Sequence, residues 1–167
     1  MKIRQLTYAA LFVALTTILK VYATVFLFGS TKFGLSFIPS AIGSAVLGPV
    51  WGGIIGGLSD VIGYLIKQDG TYFPGFTASA IAKGILYGLF LYKKPKNLAG
   101  VTLAVLTTVV FLDFLVNAVW INILYGTAIK AVLISKLVTL PLYAGLQILI
   151  LYILFKYLSK EISKISE

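Results

Sequence analysis

Long apolar runs, separated by short polar or glycine-containing breaks, cover almost all of the 167-residue chain. A helix rises about 1.5 Å per residue, and about 20 apolar residues cross a bilayer, so such runs predict membrane-spanning helices. We predict six of them, with approximate bounds 6–28, 35–47, 50–66, 76–92, 99–124 and 128–157. Gly48-Pro49 separates the second helix from the third, and Pro141 bends or interrupts the sixth. The predicted fold is an all-α, polytopic membrane protein with one domain, residues 1–167.

Composition agrees with this pattern. Hydrophobic residues make up 59% of the chain and charged residues 11%, whereas a soluble domain carries about a quarter charged residues. The chain has no cysteine and no histidine. Disulfides, metal or haem sites with those ligands, and Ser-His-Asp chemistry are therefore excluded, and no enzyme, cofactor or metal is predicted. No Walker A motif is present, so ATP-driven transport would need another subunit.

Positive charge is concentrated in three places: the N-terminus with Lys2 and Arg4, the Lys93–Lys96 segment, and the lysine-rich C-terminus. We interpret the net charge of +9 as the positive-inside signal of a cell-membrane protein rather than as a nucleic-acid site. Both termini are then cytoplasmic, which requires an even number of helices between successive clusters. The loops at 29–34, 67–75 and 125–127 face outward, and we expect a ligand site where they meet.

The segment Gly70–Gly88, GTYFPGFTASAIAKGILYG, is a polar and aromatic break between long apolar runs. A break of this kind at a membrane boundary needs water, protein or a ligand to satisfy its backbone. It is predicted to form the rim and one wall of the site. The candidate ligand-binding residues in it are Tyr72, Phe73, Phe76 and Thr77.

Asp113, Asn117 and Trp120 share one face of the fifth helix by their four- and three-residue spacing. An amide beside an indole suits a flat heterocycle, since the amide can pair with ring atoms while the indole stacks. The alternative is that Trp120 is an interfacial belt residue.

Ionisable side chains inside apolar helices are costly in lipid and should face the bundle interior. Five such residues occur, namely Lys20, Asp60, Lys83, Asp113 and Lys136. We expect Asp60 to pair with Lys83, and Asp113 with Lys136 or Lys20. These residues can form ion pairs whose only role is to neutralise each other's charge. However, three lysines and two aspartates leave one lysine without an acidic partner, and Lys32 adds a further positive charge near the rim. A spare cation favours an anionic ligand.

Small residues recur at four-residue spacing, which allows close helix approach. On the first helix they are Ala10 and Ala14, which can also be ordinary helix alanines. On the third and fourth helices they form the glycine series 48, 52 and 56, 53 and 57, and 84 and 88.

These residues, taken in order, resemble the S component, the substrate-binding subunit, of energy-coupling factor (ECF) vitamin transporters, and among them the folate family. The resemblance covers nearly the whole chain. The matching segments are Lys32-Phe33-Gly34, Phe37-Ile38-Pro39, Leu47–Gly53, Asp60, Phe73–Thr77 with Ser79-Ala80, Tyr87-Gly88, Asn117 with Trp120, and Leu124-Tyr125-Gly126.

The resemblance implies six helices, a vitamin bound on the outer side, and assembly with a transmembrane coupling subunit and two ATPase subunits. It also implies that Ala10 and Ala14 contact the coupling subunit, and that the S component topples in the bilayer to deliver its ligand. The chain departs from the family pattern at Lys32, where arginine is expected, and at Lys83 and Asp113, where neutral residues are expected. The segment between Gly126 and Pro141 is also shorter than usual.

Folate, a flat pterin with a dicarboxylate tail, is the leading ligand, because the chain offers stacking residues, edge partners and cations. Lys32 and Lys136 are the candidate partners for its carboxylates. Other S-component ligands remain alternatives: pantothenate, riboflavin or a pyrimidine precursor. A different class, a self-sufficient proton-coupled secondary transporter, would use Asp60 and Asp113 as proton sites.

Overall fold

The structure is a computed structural model that describes residues 3–27, 31–68, 70–94 and 97–166, without the side chains of 24–27, 31–33, 138 and 159–166. It is nearly all helical. The elements in chain order are α1 (Ile3–Tyr22), β1 (Thr24–Leu27), β2 (Thr31–Gly34), α2 (Phe37–Leu47), α3 (Pro49–Ile66), α4 (Pro74–Leu91), α5 (Leu98–Thr107), a π-helical segment (Thr108–Val116), α6 (Asn117–Tyr125) and α7 (Ile129–Ser166).

The predicted all-α bundle is confirmed, with differences at the helix ends. Helix α5, the π-helical segment and α6 follow one another without a break from 98 to 125, where one helix over 99–124 was predicted. Gly126, at a φ of 64°, ends this helix in the left-handed conformation that glycine adopts without strain. Pro141 lies inside α7 and does not interrupt it.

The first predicted helix is too long. α1 ends at Tyr22, and β1 and β2 form an antiparallel hairpin in which Phe26 lies opposite Lys32. The apolar run over 6–28 did not distinguish the two structures, because helix and strand ends both tolerate apolar residues. Threonine, valine and phenylalanine in the two strands favour extended backbone.

Helices α3 and α4 pack through their backbones, as the glycine series predicted. A Cβ on Gly84 would lie 1.9 Å from the carbonyl oxygen of Gly52, and one on Gly88 would lie 2.4 Å from the Cα of Pro49. A Cβ on Gly56 would lie 2.2 Å from the carbonyl oxygen of Ala80. These contacts run in opposite order along the two helices, so α3 and α4 are antiparallel.

The outer surface of the bundle is apolar. Leu11, Leu58, Phe111 and Leu149 are each at least 50% exposed. Exposed apolar side chains on every side of a helix bundle are expected where lipid is the solvent. Among the described residues, five helical segments are long and apolar enough to cross a membrane, and α2 is a shorter apolar helix. The chain is therefore a membrane protein.

The two strands of the hairpin, residues 67–68 and 70–73, and the turn after Tyr125 lie at one end of the bundle, which we call the hairpin end. The phenol oxygen of Tyr125 would lie 3.1 Å from a Cβ on Gly70, which brings the loop and the turn together. At the opposite end, the ring of Tyr92 would contact a Cβ on Gly48 at 3.5 Å.

Candidate functional site

A cavity of about 230 Å³ lies in the bundle interior toward the hairpin end. Its lining is unusually polar for an apolar protein. It is formed by Thr16, Lys20, Ser36, Phe37, Ser40, Gly56, Ser59, Asp60, Phe76, Ser79, Ala80, Lys83, Asp113, Asn117 and Tyr143. Polar side chains at membrane depth are costly unless they are paired, so their convergence marks this cavity as the candidate binding site.

One side of the cavity holds an ion pair between α1 and α3. Lys20 Nζ contacts Asp60 Oδ1, and the Thr77 hydroxyl donates to Asp60 Oδ2 at 2.7 Å. The Tyr72 hydroxyl lies 3.1 Å from Thr77 Oγ1, and its ring centroid lies 5.1 Å from that of Tyr64. The loop before α4 is thus connected by hydrogen bonds to the partly buried carboxylate of Asp60.

A second ion pair lies between α4 and the π-helical segment. Lys83 Nζ donates to both carboxylate oxygens of Asp113, at 2.7 and 2.8 Å. Asn117 Nδ2 donates to Asp113 Oδ1 at 3.2 Å, and Lys136 Nζ donates to the Asp113 backbone carbonyl at 2.6 Å. π-Helical turns are frequent at functional sites, and this one carries the carboxylate into the lining.

The predicted Asp60–Lys83 pair is wrong. Gly84 faces α3 through its backbone, and Lys83 is displaced from it by about 100° around the helix axis, so Lys83 is directed to the π-helical segment instead. Asp60 pairs with Lys20 because α1 and α3 lie side by side. For Asp113 we expected Lys136 or Lys20, but its carboxylate pairs with Lys83, and Lys136 contacts only its backbone carbonyl.

An aromatic cluster closes one wall. The rings of Phe73 and Trp120 are 5.6 Å apart between centroids, and Phe73 and Phe76 are 5.9 Å apart. Trp120 Nε1 donates to Ser79 Oγ at 3.0 Å, which fixes the indole against the cavity lining. Glycine is required at position 75, because a Cβ there would lie 2.3 Å from the Phe73 ring and 2.8 Å from the indole.

A second cavity, of about 520 Å³, lies between α7 and the π-helical segment with α6. It shares Asp113, Asn117 and Tyr143 with the first cavity, so the two adjoin. Lys136 and Thr127 line only the second one. Lys136 therefore places a positive charge in the second cavity, whose other lining residues are partly polar and partly apolar.

The structure brings most of the predicted site residues together. Phe76, Asp113 and Asn117 line the first cavity, while Tyr72, Phe73, Thr77 and Trp120 contact its lining residues or one another. Lys20, Asp60 and Lys83, predicted as buried charges, also line it. Lys32 lies on β2, and its side chain is outside the described residues.

Sequence reasoning missed Tyr143 and the serines at 36, 40 and 59. Serine and tyrosine in apolar helices are common, and nothing in their spacing separates a lining residue from a packed one. Ser79 was part of the Ser79-Ala80 segment that matched the family but was not among the predicted site residues. Its hydroxyl in an otherwise apolar helix was the available signal.

Ala10 and Ala14 are exposed on α1 and line a separate groove of about 530 Å³ between α1 and α3. The groove is almost wholly apolar, with Ile54, Leu58 and Ile62 on the α3 side. The two alanines are therefore on the bundle surface rather than in its internal packing.

A partly open cavity with a polar lining, near one end of an apolar helix bundle, is typical of a membrane-embedded protein that binds a small molecule. The chain matches the family of ECF transporter substrate-specific components over residues 4–160. It belongs to that family, which confirms the resemblance found in the sequence and makes the chain a transport protein rather than an enzyme.

Two curated relatives have the same description, folate transporter FolT. The one from Clostridium novyi (strain NT) is 36% identical over 121 residues, which cover 72% of this chain and 70% of the relative. The one from Leuconostoc mesenteroides is 26% identical over 130 residues, with the same coverage of 72% and 70%. A crystal structure of FolT bound with folic acid superposes with a TM-score of 0.84 at 27% identity, covering 91% of this chain and 92% of that one.

Proposed function

We propose that this protein is the folate-binding S component of an ECF-type importer. The observation that carries the proposal is the pair of adjoining cavities that share Asp113, Asn117 and Tyr143. Together they give room in the range of about 300–1,000 Å³ typical of small-molecule sites, with two chemically different ends. The likeness to proteins described as folate transporters supports the same ligand.

The two cavities match the two parts of folate. A flat pterin ring would lie against the aromatic cluster of Phe73, Phe76 and Trp120, and its polar edge would meet Asn117, Asp113 or Thr77. The glutamate tail would occupy the second cavity, where Lys136 supplies a positive charge for a carboxylate. Lys32 is the other proposed carboxylate partner, and Tyr72 part of the rim.

We further propose that both termini are cytoplasmic and that the site opens to the outside of the cell. A transmembrane coupling subunit would dock on the groove that exposes Ala10 and Ala14, since small residues allow a partner helix to approach closely. This chain has no Walker A motif, so two ATPase subunits would supply the energy for transport. Toppling of the S component in the bilayer would carry the ligand across.

Calorimetric titration of the purified protein tests the ligand. Folic acid should bind tightly, and riboflavin and pantothenate should not. Lys136→Gln should weaken the binding of folic acid and leave the binding of a pterin without the glutamate tail unchanged. Lys130→Gln, an exposed lysine on the same helix that lines neither cavity, is the matched control. Binding of riboflavin or pantothenate without folate would retain the family and exclude this ligand.

A further inference from the structure

The side-chain amide of Asn117 has one end satisfied and one end without a partner. Its Nδ2 donates to Asp113 Oδ1 at 3.2 Å. Its Oδ1 is buried and accepts no hydrogen bond from the part of the chain that the structure describes. Buried polar atoms are nearly always paired, so an unpaired acceptor on a residue that lines both cavities indicates a group supplied by the ligand.

The orientation of this amide follows from the chemistry of its neighbour. An ionised carboxylate can only accept hydrogen bonds, so the amide must direct its nitrogen, and not its oxygen, to Asp113. Lys83 Nζ donates to both oxygens of that carboxylate, so within this ion pair both oxygens act as acceptors. The reverse orientation would place two acceptor oxygens against each other. The ion pair therefore determines which end of Asn117 is left for a ligand.

We propose that Asp113, held by Lys83, is a positioning residue that presents Asn117 Oδ1 as the acceptor for an N–H donor on the ring of the ligand. The inference rests on the proposed function and specifies one contact within it. A pterin carries two such donors on its pyrimidine edge, the 2-amino group and N3–H, next to the 4-oxo acceptor. A ring whose edge offers only acceptors would leave Asn117 Oδ1 buried and unpaired, and the site would reject it.

Three ligands test the contact: folic acid, the analogue with methyl in place of the 2-amino group, and the analogue methylated at N3. For the unaltered protein, at least one analogue should bind at least about tenfold more weakly than folic acid, because a site built around a donor rejects the ligand that lacks it. This measurement needs no variant. Equal affinity for all three ligands would overturn the proposal.

Two variants then test whether Asn117 and the Lys83–Asp113 ion pair cause this difference in affinity between the ligands. Asn117→Ala removes the acceptor, so folic acid and the discriminated analogue should bind with similar affinity. The double variant Lys83→Gln, Asp113→Asn removes both charges together and leaves no lone buried charge. An amide at residue 113 can donate a hydrogen bond to Asn117, so the Asn117 amide is free to turn. The difference in affinity between folic acid and the analogue should then also disappear, while some folate binding remains.

Asn122→Ala is the matched control, because Asn122 is an amide on the same helix that donates to the Thr127 carbonyl at 2.9 Å and lines neither cavity. It should retain the discrimination. If the double variant also retains it, Asp113 is not a positioning residue and the inference fails, although folate binding stands. If the unaltered protein does not bind folic acid at all, the proposed function fails first.

Discussion

Gly52 and Gly84 bring α3 and α4 into direct backbone contact, since a Cβ on Gly84 would lie only 1.9 Å from the Gly52 carbonyl oxygen. The same two helices carry Asp60, Ser79 and Lys83, three residues that line the first cavity. The shape of the site therefore depends on a contact that contains no side chain.

The first prediction concerns this contact. Gly84→Ala should lower the unfolding free energy by about 1–3 kcal/mol, because overpacking forces the helices apart. Thermal unfolding in detergent measures the effect. Gly145→Ala, where a Cβ would meet nothing within 4 Å, is the control and should leave stability unchanged or raised. Equal responses at the two positions would mean that the helices separate without cost.

The second prediction concerns intrinsic fluorescence, which comes mainly from two tryptophans, Trp51 and Trp120. If the pterin stacks near the Phe73–Trp120 cluster, folate should quench the emission and Trp120→Phe should remove most of that signal. Trp51 lines the α1–α3 groove, so Trp51→Phe should retain the quenching. Quenching that is lost with Trp51 instead would place the ligand elsewhere.

The third prediction concerns the ion pair of Lys83 and Asp113, whose side chains are 23% and 22% exposed. Lys83→Met or Asp113→Leu alone leaves a mostly buried charge without its partner and should lower the unfolding free energy by roughly 3 kcal/mol. The double variant should recover much of this loss. A thermal-unfolding cycle measures the coupling energy, and simple additivity would contradict the pair.

The control for that cycle combines Lys83→Gln with Asp60→Asn, two residues that belong to different ion pairs. These replacements should be close to additive, since the two sites have separate partners.

The fourth prediction concerns the groove that exposes Ala10 and Ala14. Replacing both with leucine should abolish uptake and co-purification with the coupling subunit, because the partner helix can no longer approach, while folate binding by the isolated subunit persists. Leu15→Phe, exposed on α1 outside the groove, is the control. Equal loss of binding and uptake would assign the alanines to folding.

The fifth prediction concerns topology, and the chain has no native cysteine to interfere with labelling. Single cysteines at Gln68 and Thr127 should react with an impermeant maleimide from outside the cell, as should one at Ser30, which lies outside the described residues. A cysteine at Asn97 should react only from inside. Labelling of Asn97 from outside would invert the proposed orientation.

The sequence predicted the helix bundle well because hydrophobic length is the dominant constraint in a membrane. Glycine spacing likewise predicted close approach by a neighbouring helix, and the structure shows that α3 and α4 are these neighbours. The shared face of Asp113 and Asn117 appears as a hydrogen bond of 3.2 Å. These features depend only on helical periodicity, which a sequence contains.

Charge pairing was not predictable in the same way. Partner choice depends on which helices are neighbours and how each is rotated about its axis. Lys20 and Asp60 belong to helices that are not consecutive in the chain, yet α1 and α3 lie side by side. The hairpin was missed for a related reason, since a short apolar stretch reads equally as the end of a helix or as a strand.

The short helix α2 has a consequence for the depth at which a ligand would be held. Eleven residues give a length of about 16 Å, roughly half the thickness of the hydrocarbon layer. Its final residues reach the end of the bundle where Gly48 meets Tyr92, so its first turn lies well inside the bilayer. Ser36, Phe37 and Ser40, at that first turn, form part of the cavity lining. Because the cavity lies at the level of this first turn, a molecule bound there would be held at mid-depth in the hydrocarbon layer rather than at the surface of the protein.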